Sequence, residues 1–216
     1  MLEQGSPIRK EIALTFDDGP HPEFTPRLLA LLKQLEVKAT FFLVGEMVEE
    51  SPKTARLIAQ SGNEIGNHSY SHRNLNTLSV GQIEQEIAKN NKAIWESCGV
   101  QPTFFRPPGG NYNEDVIKTL SEQGMPLALW TFNPKDFANP PASAIEAGIL
   151  KNLTNGMVVL LHSGVQATYT ILPSLVKRLN SEGYRFVTLT EMAQEMDEHR
   201  ALFERKRRFE ANGHRL

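Results

Sequence analysis

Glu11-Ile12-Ala13-Leu14-Thr15-Phe16-Asp17-Asp18-Gly19-Pro20 reads as an apolar strand halted by two adjacent carboxylates and a turn pair. Helical periodicity over Thr25 to Leu35 follows, then a β-type run from Lys38 to Val44, a helix from Pro52 to Gln60 and a short strand from Glu64 to Asn67. Further strands fit Thr103 to Arg106, Leu127 to Thr131, Met157 to Leu161 and Arg185 to Thr188. Helices fit the stretches between them, from Val80 to Ser97, Glu114 to Gln123, Ala142 to Leu153 and Ile171 to Ser181. Seven strands alternating with helices predict α/β architecture, built of βα units around a parallel sheet.

The helix starts are marked by Thr25 before Pro26, Ser51 before Pro52, Ser79 with Gln82 three residues on, Asn113 before Glu114, and Thr190 before Glu191. Gly62, Gly99, Gly124 and Gly183 mark the stops. Residues 1–10 carry no periodicity and read as an N-terminal extension, or as residues standing in place of a removed leader or anchor. Residues 11–195 form the expected domain, and 196–216 a charged C-terminal helix or tail whose Arg205-Lys206-Arg207-Arg208 cluster reads as a solvated face.

The chain has 216 residues, enough for one domain with a well-buried core. With 23 basic and 25 acidic side chains the net charge is −2, which argues against a nucleic-acid-binding face and a polyanionic substrate. Cys98 is the only cysteine, so neither an internal disulfide nor a thiolate metal cluster can form, and a buried, inert thiol is expected. No apolar stretch is long enough to span a bilayer, and no signal peptide is visible.

Parallel α/β folds gather reactive groups where strands end, and every polar cluster of this sequence falls there. Asp17 and Asp18 follow the first strand, His68 and His72 the third, Arg106-Pro107-Pro108 the fourth, Asp136 lies beyond the fifth, and His162 follows the sixth. Two carboxylates at the mouth of a buried strand need a cation or a proton to balance them. Asp18, His68 and His72 offer one oxygen and two nitrogen donors, a set that leaves a divalent cation an open position for water. Asp17 and Asp18 would point oppositely in an extended strand, but at a turn Asp17 can lie beside that water. His162, delivered by the run Val158-Val159-Leu160-Leu161, suits a general acid.

Taken together, Thr15-Phe16-Asp17-Asp18-Gly19-Pro20, His68-Ser69-Tyr70-Ser71-His72, Arg106-Pro107-Pro108-Gly109-Gly110 and Leu160-Leu161-His162 resemble the polysaccharide deacetylase family, also called the NodB homology domain or carbohydrate esterase family 4. The resemblance spans about residues 11 to 190. It implies a distorted (β/α)7 barrel with a TIM-barrel-like parallel sheet, and removal of N-acetyl groups from an N-acetylglucosamine-containing polysaccharide of chitin or peptidoglycan type. It further implies zinc, or alternatively cobalt, on Asp18, His68 and His72. Asp17 becomes the base paired with Arg106, and His162 the acid tuned by Asp136. The Gly109 N–H is assigned to the oxyanion, Leu160 to the acetyl methyl and Ser69 to ordering the loop. An extracellular or cell-envelope location also follows from the resemblance, whereas the oligomeric state does not.

The match has departures. The family places an aromatic residue where this chain has Gly109, leaving Tyr112 as the candidate ring. In Trp130-Thr131-Phe132-Asn133-Pro134-Lys135-Asp136-Phe137, Asn133 replaces the family's first Asp and Phe137 its Trp. His21, His199 and His214 match nothing and read as exposed. Two rival readings stand beside deacetylation: an O-acetyl esterase on xylan or another glycan, or a small cyclic-amide hydrolase; and a catalytically silent carbohydrate-binding metal barrel.

Overall fold

A computed structural model describes residues 1–197. The charged tail expected over 196–216 lies almost wholly outside them, as do His199, His214 and the Arg205–Arg208 cluster. The described residues form an α/β fold whose parallel sheet contains β1 (Glu11–Gly19), β2 (Thr40–Leu43), β3 (Glu64–Asn67), β4 (Met157–His162) and β5 (Arg185–Phe186). The order is β3-β2-β1-β4, with β5 pairing the start of β1 at Glu11 and Ile12. Around it lie α1 (Phe24–Gln34), α2 (Gly45–Glu50), α3 (Pro52–Gln60), α4 (Val80–Cys98), α5 (Glu114–Glu122), α6 (Ala142–Lys151) and α7 (Gln166–Ser181). A further helix runs over 189–197. No described helix is long and apolar enough to cross a membrane.

The expected strands over 103–106 and 127–131 do not form ladders. They and the adjacent Phe132 contribute isolated bridges, Asn67 to Phe105, Phe105 to Leu127 and Phe132 to Val159, with a few backbone bonds beside them, such as Thr103 N–H to Ile65 O and Arg106 N–H to Asn67 O, which together span the gap between β3 and β4. Proline is the cause: Pro102, Pro107, Pro108 and Pro126 flank these segments and have no N–H to extend a ladder. Leu2 also joins this side. Its N–H donates to Leu127 O, and Leu129 N–H donates to Leu2 O, both at 2.8 Å. The N-terminal residues are therefore knitted to the sheet by backbone pairing that their sequence does not advertise.

Burial on both faces explains the near-continuous apolar strands. Ile12, Leu14 and Phe16 of β1, with Met157, Val159 and Leu161 of β4, pack in one core with Leu28 and Leu32 of α1 and Leu172 and Leu175 of α7. The alternate face carries Ala13 and Val158 toward a second core with Phe42 and Leu189. Period two then decides what reaches the cleft, since Thr15 and Asp17 share a face with Ala13, and Leu160 and His162 with Val158.

Several helix boundaries shift. α1 begins at Phe24, and the cap is built by His21, whose Nδ1 accepts from Phe24 N–H while its own N–H donates to Thr25 Oγ1. His21 is thus half-buried rather than exposed. α7 starts at Gln166, five residues before the expected Ile171. It continues through Pro173 because burial of Thr168, Ile171, Leu172 and Leu175 outweighs the lost backbone bond. The last helix is capped by Thr188 rather than Thr190: Thr188 N–H donates to Glu191 Oε2, and Glu191 N–H to Thr188 Oγ1. The capping box of Ser79 with Gln82 and the Asn113 cap form as read, and Gly99 closes α4 in the left-handed region. Cys98 is half-buried rather than fully buried, and burial pushes its thiol up to about 11, so it stays protonated and inert.

Candidate active site

The ends of β1, β3 and β4, with the segments around Gly109 and from Trp130 to Phe137, meet at one cleft of about 310 Å³, lined by Asp17, Asp18, His68, His72, Gly109, Trp130, Asn133, Phe137, Leu160 and His162. Its construction begins with a local irregularity. The β1–β2 register shifts between Phe16 and Gly19, and Asp18 sits at φ +61°. A regular strand would send Asp17 and Asp18 to opposite faces, whereas the left-handed turn brings the second carboxylate back beside the first. Such a conformation costs a non-glycine residue about 1–3 kcal/mol, and Ser69 and His72 carry the same strain at φ +62° and +55°.

Asp18, His68 and His72 each turn one donor atom to a common point, these atoms lying within 4.8 Å of one another. Asp18 Oδ1 is 3.0 Å from His72 Nε2 and 3.4 Å from His68 Nε2. Although buried, that oxygen accepts no well-formed hydrogen bond. His68 is almost wholly enclosed, and its Nδ1 lies 2.7 Å from Arg106 O. A carbonyl only accepts, so Nδ1 carries the hydrogen and Nε2 is left for a cation, the usual means by which an outer partner orients a ligating imidazole. Burial opposes the charge on Asp18, but the nearby imidazoles of His68 and His72 outweigh it and hold the carboxyl well below its ordinary range. Asp18 in turn raises His72, more than burial lowers it. The orphaned oxygen, the fixed tautomer and the N,N,O donor set fit a divalent cation.

Asp17 is buried and held differently. Its Oδ1 accepts from Arg106 Nη1 at 2.8 Å, while Oδ2 faces the cluster, 3.6 Å from His68 Nε2. Arg106 is completely buried; it also donates to Thr15 Oγ1 and Leu129 O, both at 2.7 Å, and its guanidinium stacks 4.1 Å from the Phe42 ring. Burial lowers its pKa against the attraction of Asp17, yet a guanidinium keeps its charge at any physiological pH. One carboxylate oxygen is thereby tied and the other left free for a proton.

Across the cleft, His162 is the register partner of Asp17. Its Nδ1 lies 2.7 Å from Asp136 Oδ1, and its backbone N–H donates to Asp136 Oδ2 at 2.9 Å. Thr168 Oγ1 donates to the same Oδ2 at 2.6 Å, and Phe137 N–H to Oδ1 at 3.0 Å. Burial alone would lower the His162 pKa, but the bond to Asp136, then the charges of Asp136, Asp17 and Asp18, outweigh it and raise the pKa.

The apolar wall departs from expectation at one residue. Leu160 and Phe137 line the cleft, the Phe137 ring edge-on to His162 at 5.1 Å between centroids. Tyr112 does not line it; it packs against a separate core cluster that includes Ile83 and Ile87 of α4 and Val116 and Leu120 of α5. The ring is Trp130, which the sequence reading left unassigned. A Cβ on Gly110 would stand 2.5 Å from Trp130 Cη2, so the missing side chain is what lets the indole slide over the loop. Gly109, at φ +62°, donates its N–H to no described residue. Thr168 carries no signal in the sequence, because it precedes the helix start expected at Ile171, whereas α7 begins at Gln166 and includes it. Asn133, noted only as a departure, lines the cleft. The signal for Trp130 was an aromatic residue at a strand end, and for Asn133 a side-chain amide two residues before Lys135, whose N–H its Oδ1 accepts.

A sequence profile for polysaccharide deacetylases matches residues 4–128. The chain is similar to a peptidoglycan-N-acetylglucosamine deacetylase of Bacillus cereus, 39% identical over 188 residues that make up 85% of this chain and 88% of that one. Its fold is similar to that of the peptidoglycan deacetylase PdaC from Bacillus subtilis, with a TM-score of 0.84, 33% identity and coverage of 94% of this chain and 99% of the other. It is also similar to BA3943 from Bacillus anthracis, described as a pseudoenzyme of carbohydrate esterase family 4, with a TM-score of 0.85, 32% identity and coverage of 88% of this chain and 67% of the other.

Proposed function

This chain belongs to the polysaccharide deacetylase family and is a hydrolase of it, and from that premise we propose that it removes N-acetyl groups from N-acetylglucosamine units of a peptidoglycan- or chitin-type polymer, releasing acetate, with a divalent cation held by Asp18, His68 and His72. The names of the similar proteins favour a peptidoglycan substrate. Zinc, with cobalt as the alternative, suits two imidazole nitrogens and one carboxylate oxygen. An extracellular or cell-envelope location belongs to the same proposal, since that is where such a polymer lies.

One observation carries the reading: Asp18 Oδ1 is buried and unbonded between two imidazoles, with the free oxygen of Asp17 alongside. When bound, the cation supplies Lewis acidity to the acetamide carbonyl and to the attacking water. Asp17 Oδ2 takes the proton of that water, its other oxygen being fixed by Arg106. The Gly109 N–H donates to the developing oxyanion, a preorganised donor that costs no rearrangement at the moment of reaction. His162, held by Asp136, delivers a proton to the amine nitrogen as the C–N bond breaks. Leu160, Phe137 and Trp130 form the apolar wall beside the reacting carbonyl.

The test is acetate release from N-acetylglucosamine oligomers and from peptidoglycan fragments. Release should vanish with a chelator and return with zinc or cobalt. Release from acetylated xylan alone would favour the O-acetyl esterase. The match to a pseudoenzyme keeps a silent sugar-binding barrel as a second reading, and zinc-dependent oligosaccharide binding without turnover would establish it. Against it stand Asp17 and His162, since a binder needs neither base nor acid.

A further inference from the structure

The loop between His68 and His72 is more heavily braced than an ordinary surface turn, and the brace comes from α4. Glu86 Oε2 accepts from Tyr70 N–H at 3.0 Å and from Ser71 N–H at 2.8 Å, while its Oε1 accepts from Ser71 Oγ at 2.6 Å. One turn along the same face, Asn90 is completely buried and donates to Ser69 O and Asn67 Oδ1, both at 2.8 Å, and to Leu43 O at 2.7 Å. Within the loop, Ser69 N–H donates to Asn67 Oδ1 and His72 N–H to Ser69 Oγ. These bonds surround the two strained residues, Ser69 and His72, without touching an imidazole. A carboxylate satisfying two consecutive backbone N–H groups and a hydroxyl fixes the turn that carries His72 round to meet Asp18.

We propose that Glu86 is a positioning residue for cation binding, and that it acts by holding the 69–72 turn in the left-handed conformation that brings His72 Nε2 to Asp18 and His68. The inference rests on the reading of Asp18, His68 and His72 as a cation site. Without Glu86 the Tyr70 and Ser71 N–H groups turn to solvent, the turn relaxes, and the third ligand is present only part of the time, so apparent affinity falls by the fraction of time lost.

The experiment measures zinc affinity of the metal-free full chain by chelator competition, and the visible spectrum of its cobalt complex. Glu86→Ala should weaken zinc by about 10–100-fold, the range typical of an outer-shell partner. It should also alter the cobalt bands, while the metal-free melting temperature moves little. Glu86→Gln, which keeps one acceptor oxygen, should recover part of the affinity. In a His72→Ala background the Glu86→Ala loss should disappear, because the two act through one ligand. Zinc affinity within twofold of the parent in folded Glu86→Ala, or in folded Glu86→Gln where the alanine variant does not fold, overturns the proposal; so does a full Glu86→Ala loss in the His72→Ala background. A parent chain that takes up no zinc refutes the cation reading separately. The brace is then judged by amide exchange at Tyr70 and Ser71, where unchanged protection in Glu86→Gln overturns it and faster exchange supports it.

Discussion

Asp18 and Asp136 are two carboxylates in or beside one cleft, each next to a histidine, and the fold treats them in opposite ways. Asp136 is fully enclosed and saturated: the His162 ring and backbone, the Thr168 hydroxyl and the Phe137 N–H all converge on it. Asp18 is partly open, backbone-strained, and has a buried oxygen without a hydrogen bond. A buried polar atom is normally satisfied, because leaving it unpaired costs about 1–3 kcal/mol. The saturated carboxylate therefore has its balance within the protein, and its work is to orient and charge His162. The unsaturated one is built for a charge that arrives from outside.

The contrast can be broken most decisively at Asp18. Asp18→Ala should abolish zinc binding and bring acetate release to background, as read by chelator competition and an acetate assay; retained zinc affinity would mean that the two histidines suffice. Asp17→Asn comes next. It should lower turnover by about 10²–10⁴-fold while zinc affinity stays close to the parent's, separating the proton acceptor from the ligand one residue away. Full turnover in that variant would rule out Asp17 as the base.

On the saturated side the effects should be smaller and tied to pH. His162 must be protonated to act as an acid, and Asp136 raises its pKa, so activity should hold to a pH above the ordinary histidine value and fall beyond it. Asp136→Asn removes the charge that does the raising. The alkaline limb of kcat/KM should move to lower pH, with the loss, about 10²-fold near the alkaline limb, shrinking as pH falls. An unmoved limb would show that another group sets it. Thr168→Val is the mildest change, leaving Asp136 Oδ2 with one donor fewer. It should destabilise the fold by about 1–3 kcal/mol in urea unfolding and reduce turnover by less than tenfold.

Much of this was readable from residue order. The run Ile12 to Phe16 marks a buried strand, and β1 follows it but carries on through Asp17 and Asp18 to Gly19. His68 and His72, Arg106, Asp136 and His162 were assigned to strand ends, and all of them meet at or beside one opening. What went unread has identifiable causes. Prolines reduced two expected strands to single bridges, since a ladder needs N–H donors that proline lacks. Leu2 pairs through backbone alone, which leaves no side-chain period to detect. Tyr112 was named as the ring near Gly109, but its neighbours in the fold belong to another core, and Trp130 arrives from the fifth strand position instead.

By itself, the sequence determined which chemistry is available: a carboxylate doublet, an imidazole pair, an arginine before two prolines and a lone histidine after an apolar strand, each set near a strand end by period-two and helical patterning. Only the tertiary structure decided how those groups divide the labour. Whether an oxygen is saturated or orphaned depends on donors from Thr168 and Arg106 that are remote in the chain, and on the positive φ of Asp18, which an aspartate tolerates better than most residues but which surrounding packing has to hold.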